Sequence, residues 1–438
     1  MPVTPCVAMT FDTIGPPERT RHLENPPDRV WEPPVRAFIL SLVGLVSLLS
    51  PLATRGSEPL QFQFHDGDRI VLVGDTLIER DQRYGYLETM LTALNPDKNL
   101  TFRNLGWSGD TVAGLSRAGF EPPAAGYKQL VEQVLAAKPS VLIVGYGMAD
   151  SFDGESGRSR FVEGLNRLLD AIAATRARVV LLSPVAHANL GEPWPDPAPH
   201  NVALESYTRS IDDIARKRGA VFIDLFQPIR ARHGLASISD NGIHLNEAGY
   251  RFLAAQMARA FCPEAFREPP RVELSVDVAV RPIREVKSAQ VEASSVGLRF
   301  RLARQGLPIG EIPSTALILA LKGLSPGKYE LKAAGHRIAT GSAGDWAKGV
   351  SVLGGPDIEQ AEQLRRTINR KNTLFFDRWR PQNITYLFGF RKHEQGNNAI
   401  EIPQFDPLVA EQEQQIARLR KPVPHTYELV RIESEVAR

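Results

Sequence analysis

The stretch RIVLVGDTLIERDQ, residues 69–82, decides the fold of this chain. Its first half is an aliphatic run ending at Gly74, which is typical of a β-strand buried on both faces of a parallel sheet. Asp75 and Thr76 follow directly, and their side chains either cap the next helix or carry chemistry. Because ligands bind beyond the carboxyl ends of parallel strands, the residues after each strand are the place to look for a site.

Four further runs share the apolar centre of the first, and they are Leu100–Leu105, Ser140–Tyr146, Arg178–Pro184 and Ala220–Leu225. Apolar residues recur every three or four positions in the stretches between them, which are Gly126–Lys138, Arg160–Ala174 and Glu205–Gly219. This alternation predicts an α/β domain, residues 61–263, with a parallel five-stranded sheet covered by helices on both faces.

The last third of the chain has a different pattern. Residues 270–354 show the two-residue alternation of strands and predict a small β-sandwich. Residues 355–438 predict a helical and aromatic C-terminal extension, with one helix from Pro356 to about Phe376 and another near Pro407 to Leu419. Some polar and aromatic residues of the extension have two interpretations. They either complete a site over the sheet or only form a contact between domains, and the contact between domains is favoured. These residues are Arg378, Trp379, Arg380, Asn383, Arg391 and His393.

Residues 1–57 predict an N-terminal extension with a signal peptide. Arg36 precedes the apolar run from Ala37 to Ala53, whose length suits the core of such a signal. We therefore expect export to the periplasm or the extracellular space. The alternative is an uncleaved helix, which would anchor the protein in a membrane.

Composition narrows the classes of function. The chain has 438 residues, a formal charge of +2 and no basic tract, so a nucleic-acid partner is not expected. Its two cysteines, Cys6 and Cys262, lack the paired spacing of a zinc site or a disulfide framework. We expect no cofactor and no metal.

Four polar segments stand after the strands and carry a family resemblance. They are GDTLIERDQ at 74–82, LGWSGDTV at 105–112, GYGMADSF at 145–152 and SDNGIHLNEAGY at 239–250. Their order resembles the consensus blocks of the SGNH/GDSL hydrolases, which are ester and acyl hydrolases with a flavodoxin-like three-layer α/β/α fold. The chain is similar to exported bacterial members that have altered blocks and a C-terminal extension.

The resemblance assigns roles to two of these segments directly. The nucleophilic serine of the family falls on Thr76, which keeps a hydroxyl but adds a methyl group that crowds the attack. The oxyanion-hole glycine falls on Gly109, where only a backbone N–H is needed. Asp75, Asp110 and Asp150 stand beside these positions as possible supporting residues.

Two other positions depart from the family pattern. The asparagine that completes the oxyanion hole is replaced by Ala149, so that donor is missing. The catalytic histidine is His244, but the aspartate three residues earlier is replaced by Asn241. An amide there can hold the imidazole in the wrong tautomer. Asp240 compensates only if the turn rotates by one residue.

Two hypotheses for function follow. The first is an ester hydrolase acting on a small molecule or an acylated carbohydrate, with Thr76 attacking and His244 as the base. The second is an inactive relative that binds a glycan or a protein partner in the same crevice. The hydrolase is favoured, and the distance from Thr76 Oγ1 to the His244 ring is the geometric test.

Overall fold

The computed structural model describes residues 62–267, 271–275, 286–294, 297–304, 306–313 and 316–432. The predicted signal segment lies outside the described residues. Among the helices of the described ranges, none is both long and apolar enough to cross a membrane.

A parallel sheet forms the first part of the fold, as the apolar runs predict. Its strands are β1 (Arg69–Gly74), β2 (Thr101–Gly106), β3 (Val141–Gly145), β4 (Arg178–Leu182) and β5 (Val221–Ile223). They lie in the order β2-β1-β3-β4-β5 and every neighbouring pair is parallel. The strand bounds differ from the predicted ones by a few residues, because the flanking residues enter loops.

Helices cover both faces of this sheet. They are α1 (Thr76–Asp81), α2 (Tyr86–Leu94), α3 (Pro123–Ala137), α4 (Gly154–Ile172), α5 (Ala198–Arg218), α6 (Phe226–Arg230) and α7 (Glu247–Phe261). Alternate residues of β1 enter two different cores, with Ile70 and Leu72 on the side of α2 and α7 and Val71 and Val73 on the side of α3 and α4. The predicted three-layer α/β/α domain is therefore confirmed.

Two smaller sheets follow and pack face to face. Their strands are β6 (Arg271–Ser275), β7 (Val286–Ser294), β8 (Gly297–Arg304), β9 (Leu317–Lys322), β10 (Lys328–Ala333), β11 (His336–Ser342), β12 (Val350–Val352) and β13 (His425–Ile432), with helix α8 (Ala343–Lys348) before β12. The sheets have the orders β11-β10-β13-β8-β7 and β12-β9-β6. Phe300, Leu319, Leu331 and Trp346 belong to one core shared by both sheets. The predicted β-sandwich is confirmed.

The end of the chain completes this sandwich. Strand β13 lies between β10 and β8 in the larger sheet, although the sequence-based division places it in a separate extension at 355–438. Its pairing joins residues far apart in the sequence, and local patterns do not report such pairing.

Within the described residues, four α-helices lie between β12 and β13. They are α9 (Pro356–Trp379), α10 (Ile384–Leu387), α11 (Lys392–Gln395) and α12 (Phe405–Leu419). Two of them, α9 and α12, contact the α/β domain. Lys371 of α9 is buried and its Nζ donates to Glu88 Oε2 of α2 at 2.7 Å and to the Phe102 carbonyl of β2 at 3.2 Å. Removing one partner of such a buried pair costs about 3–5 kcal/mol, so α9 is held firmly on the domain.

Candidate active site

Close backbone approaches bring the first two polar segments together. A Cβ atom on Gly74 would lie 2.2 Å from the Gly145 carbonyl oxygen, and one on Gly106 would lie 2.2 Å from Glu79 N. Only glycine fits at both positions. The ends of β1, β2 and β3 and the start of α1 therefore converge at one edge of the sheet, as predicted.

Thr76 and Gly109 meet at this edge. Thr76 is the first residue of α1 and is 7% exposed, and its Oγ1 accepts a hydrogen bond from Gly109 N at 2.9 Å. Gly109 has a φ of +67°, which a residue with a side chain rarely adopts. Its N–H points at the threonine hydroxyl, so the two residues to which the family resemblance assigns the nucleophile and the oxyanion donor are in contact.

Asp75 caps helix α1, as one of its two interpretations states. Its Oδ1 accepts from Leu77 N at 3.0 Å and its Oδ2 from Met148 N at 3.2 Å. Burial, opposed by these backbone hydrogen bonds, raises the pKa of Asp75 to about 7. Asp75 therefore ties the first segment to the third, while the Thr76 hydroxyl stays free of the capping role.

The third segment places Ala149 and Asp150 beside Asp75. Ala149 has no side-chain donor, so the missing oxyanion group is not supplied at this position. Asp150 Oδ1 accepts from Val112 N at 3.3 Å, whereas its buried Oδ2 has no partner among the described residues. Burial, and next the nearby Asp75 carboxylate, raises the pKa of Asp150 to about 7. Two neighbouring acids thus lie below the nucleophile position.

Asp110 is structural. Its carboxylate is fully buried and binds Arg117 Nε at 2.7 Å and the Tyr146 hydroxyl at 2.9 Å. Ser116 N donates to its other oxygen at 3.2 Å. These partners hold the loop after Gly109, and they leave Asp110 no role at the reacting atoms.

The fourth segment contains the histidine and the residue that orients it. Asn241 Oδ1 accepts from His244 N at 2.8 Å and from Ile243 N at 3.2 Å. These two backbone donors set the direction of the amide, and Asn241 Nδ2 therefore faces His244 Nδ1 at 3.2 Å. Because an amide NH₂ only donates, Nδ1 must be the acceptor and the neutral ring carries its proton on Nε2.

Asp240 does not replace the missing aspartate. Its side chain is half exposed and forms an ion pair with Arg80 Nη2, so the rotation that would bring it to the ring does not occur. Burial, and next the Arg80 charge, lowers the pKa of His244, which keeps the ring neutral. Arg80 also reaches the Leu245 carbonyl at 3.4 Å, and it thereby joins α1 to the histidine loop.

Thr76 Oγ1 and the His244 ring do not form the hydrogen bond that the hydrolase hypothesis requires, although the hydroxyl has the orientation that it requires. In the described part of the chain, no hydrogen bond joins Thr76 Oγ1 to the His244 ring, whose hydrogen-bond partner is Asn241. Catalytic hydrogen bonds are often long in free enzymes and shorten when substrate binds. The hydroxyl is nevertheless directed at Gly109 and not into the helix.

The sequence-based reasoning missed an aromatic wall after β3 and β4. The rings of His187 and His200 stack at 4.9 Å, and Phe152 lies 4.2 Å from His200. His187 is 5% exposed, and burial lowers its pKa to about 4. Ala188 N donates to the Gly242 carbonyl at 2.7 Å, which places this wall beside the His244 loop. His187 follows β4, so a search of the residues after each predicted strand would have included it.

The candidate residues of the C-terminal extension divide into two groups. Arg380 and Trp379 contact Trp107, with the Arg380 Cζ atom 3.7 Å from the Trp107 ring centroid and the two tryptophan rings 5.9 Å apart. The others pair within the extension, and these pairs are Arg378 with Asp406, Asn383 with Gln395, and Arg391 and His393 with Glu394. The extension therefore reaches the segment that contains Gly109.

Within the described residues, no group of three or more histidine, cysteine, aspartate or glutamate side chains is arranged to hold a metal ion.

A comparison with protein families matches the part of the chain that forms this site. The profile of the GDSL-like lipase/acylhydrolase family matches residues 67–252, a range that includes all four polar segments. Residues 67–252 belong to the SGNH/GDSL hydrolases. The matched range includes Thr76, Ala149 and Asn241, the residues at which the sequence departs from the pattern that the resemblance implies.

Comparison with solved structures extends the similarity beyond this hydrolase domain. A gut microbial diltiazem-metabolizing enzyme aligns with a TM-score of 0.66 at 16% identity, over 84% of this chain and 99% of that chain. At that identity the likeness shows the fold alone, but the aligned share is larger than the hydrolase domain. The architecture of this chain, with parts added after the hydrolase domain, is thus shared with another protein.

Two further structures have lower scores. A catalytic mutant of Axe2, an acetylxylan esterase from Geobacillus stearothermophilus, has 18% identity and a TM-score of 0.37 over 46% of this chain and 97% of that chain. A lipase/acylhydrolase from Enterococcus faecalis has 21% identity and a TM-score of 0.34 over 44% of this chain and 94% of that chain. Scores this low carry no argument about this chain. No curated protein sequence matches it.

Proposed function

We propose that the chain hydrolyses ester or acyl groups, on a small molecule or an acylated carbohydrate, with Thr76 as the nucleophile. The observation that carries the proposal is the hydrogen bond of 2.9 Å from Gly109 N to Thr76 Oγ1. After attack, the nucleophilic oxygen and the former carbonyl oxygen are bonded to the same carbon. A donor in contact with the first oxygen is therefore close to the position of the second.

The start of α1 supplies the second donor. Thr76 is the first helical residue, so its amide has no intrahelical acceptor. In the proposed reaction, Thr76 Oγ1 attacks the acyl carbon and the oxyanion accepts from the amides of Thr76 and Gly109. The tetrahedral intermediate then breaks the ester bond, and the alcohol leaves with the proton that the threonine hydroxyl gave to the His244 ring. Water attacks the acyl-threonine, releases the acid and restores the hydroxyl.

The proton transfer is the weak step of this mechanism. His244 with its proton on Nε2 donates at that nitrogen, and it acts as a base only in the other tautomer. In the serine-protease worked example, the same change of aspartate to asparagine lowers kcat by about 10⁴. We therefore expect slow hydrolysis.

The Asn241 side chain also favours a second candidate function, which is ligand binding. A site with Asn241 facing the imidazole and Ala149 in place of a donor suits ligand binding without turnover. In this alternative, the crevice and the wall formed by His187, His200 and Phe152 bind a glycan or a protein partner.

Hydrolysis of short-chain p-nitrophenyl esters and acetylated oligosaccharides tests the proposal. The Thr76→Val variant keeps the shape of the side chain and removes the hydroxyl, so it is the matched control for Thr76. Activity that is lost in Thr76→Val and in His244→Ala supports the hydrolase. Activity absent from the unaltered chain, or indifferent to both changes, favours the binding protein.

The proposal includes export, which is supported by the apolar run from Ala37 to Ala53 after Arg36. Residues 1–57 fused to a reporter enzyme should carry it out of the cytoplasm of a bacterial host. Replacing Leu45 and Leu48 by arginine should retain the fusion in the cytoplasm. A reporter that stays inside with the unaltered segment would contradict export.

A further inference from the structure

We propose that Arg380 of the C-terminal extension is a positioning residue, which holds the turn Trp107–Asp110 so that the Gly109 N–H faces Thr76. The inference rests on the proposed function for its catalytic consequence. Its structural basis is a set of contacts that link α1, the turn and the end of α9.

The first contact runs through a buried carboxylate. Glu79 is 8% exposed; its Oε2 accepts from Ser108 N, and its Oε1 lies 3.2 Å from Arg380 Nη1. A carboxylate in such a place is costly unless it is paired. Arg380 supplies the counter-charge, and Glu79 in turn binds the residue directly before Gly109.

The second contact runs through an aromatic ring. The Arg380 guanidinium lies over Trp107 with its Cζ atom 3.7 Å from the ring centroid. Arg117 lies 5.3 Å from the same centroid, and Trp379 contacts the ring edge to face at 5.9 Å. Trp107 is thus held from the extension and from the hydrolase domain together.

These contacts act on the geometry of Gly109. Residues 107 and 108 are bound by Arg380 and Glu79, and the next amide donates to Thr76 Oγ1 at 2.9 Å. The buried pair of Lys371 and Glu88 joins α9 to the same domain. Loss of Arg380 leaves Glu79 without its counter-charge and removes the guanidinium that lies 3.7 Å from the Trp107 ring centroid, so the turn relaxes away from Thr76.

The chain offers a matched control two residues earlier. Arg378 also lies near the end of α9, but it binds Asp406 at 2.9 Å and is not among the residues that contact the turn. Arg380→Ala and Arg378→Ala therefore remove the same kind of side chain, and only the first breaks contacts to the turn. Arg380→Lys keeps the charge and loses the planar fork.

Amide hydrogen exchange measures the turn directly and needs no turnover. In the full chain, Arg380→Ala should raise exchange at Ser108 and Gly109 at least tenfold, whereas Arg378→Ala should leave it unchanged. Glu79→Gln should have the same effect, and the double variant should add little. Unchanged exchange in Arg380→Ala, or an equal rise in Arg378→Ala, would overturn the inference.

Ester hydrolysis then measures the catalytic consequence. Arg380→Ala should lower kcat by about ten- to a hundredfold with little change in KM, because a shift of about 1 Å at a catalytic group costs about that much. Arg380→Lys should recover part of the loss. Faster exchange with no hydrolysis in any form of the chain would reject the proposed function and leave the positioning of the turn in place. Faster exchange with unchanged kcat would reject the catalytic consequence.

Discussion

At the end of β1, Thr76 Oγ1 accepts a hydrogen bond from Gly109 N at 2.9 Å, whereas before α7 the His244 ring faces the NH₂ group of Asn241 at 3.2 Å. Both halves of the site carry a substitution relative to the family pattern. Serine to threonine keeps the hydroxyl and its contact to the oxyanion amide. Aspartate to asparagine keeps the shape but reverses one hydrogen bond, and this moves the proton of the imidazole.

The difference shows that similar side chains are not equally exchangeable at a catalytic site. A nucleophile position tolerates another alcohol, because its function depends on one oxygen atom and its surroundings. An orienting position depends on whether its atom accepts or donates, and asparagine differs from aspartate in that property as well as in charge. Four experiments compare the two halves, and they follow from the largest expected effect to the smallest.

Asn241→Asp should raise kcat by about 10³- to 10⁴-fold, because a carboxylate accepts from Nδ1–H and leaves Nε2 free to act as a base. Ester hydrolysis under saturating substrate measures this change. Asp240→Asn, at the neighbouring residue that binds Arg80, is the control and should not give this increase. A lower or unchanged rate in Asn241→Asp would show that His244 is not the base.

Ala149→Asn should raise kcat by about 10²- to 10³-fold, since one oxyanion donor stabilises the transition state by about 2.7–4 kcal/mol. The gain belongs to the half of the site that contains Thr76 and Gly109, so it should appear with or without Asn241→Asp. Ala149→Leu adds similar bulk without a donor and should give no increase. Equal rates for the two variants would contradict the assignment of this position.

The two acids below Thr76 make folding stability depend on pH. Because the folded-state pKa values of Asp75 and Asp150 are raised to about 7, the folded chain binds protons that the unfolded chain has released. Their contribution to stability is therefore present below about pH 4 and is lost as the pH rises to about 7, by about 1.4 kcal/mol per pH unit for each group. Urea unfolding at pH 5 and at pH 8 measures it.

Asp150→Asn is the matched variant for this pH dependence. The amide keeps an oxygen for Val112 N and cannot ionise, so the difference between pH 5 and pH 8 should shrink. A difference equal to that of the unaltered chain would assign the effect to other groups.

Thr76→Ser should change kcat/KM by about tenfold or less, and upward, because it removes the methyl group and retains the hydroxyl. Initial rates at low substrate concentration measure it. A large loss of activity in Thr76→Ser would mean that the methyl group holds the hydroxyl toward Gly109. Such a result would show that the surroundings of residue 76 fit threonine better than serine.

Much of the fold and part of the site could be predicted from the sequence. The parallel sheet, its helices and the β-sandwich follow from local periodicity. The sequence also predicts Thr76 and Gly109 at one site, because each follows a predicted strand and the family resemblance gives both a role. His187, the pairing of β13 and the contact of Arg380 with Trp107 were not predicted. They depend on which distant segments become neighbours, and local patterns contain little of that information.

The sequence by itself determined that a hydroxyl and a glycine amide follow the first two strands of a hydrolase scaffold, that an imidazole follows the last strand and a helix, and that Asn241 replaces an aspartate. Only the tertiary structure decided what this replacement does. Two backbone amides, of Ile243 and His244, bind Asn241 Oδ1 and turn its NH₂ toward the ring. The position of a proton depends on the direction of each hydrogen bond, and that direction is a property of the folded chain.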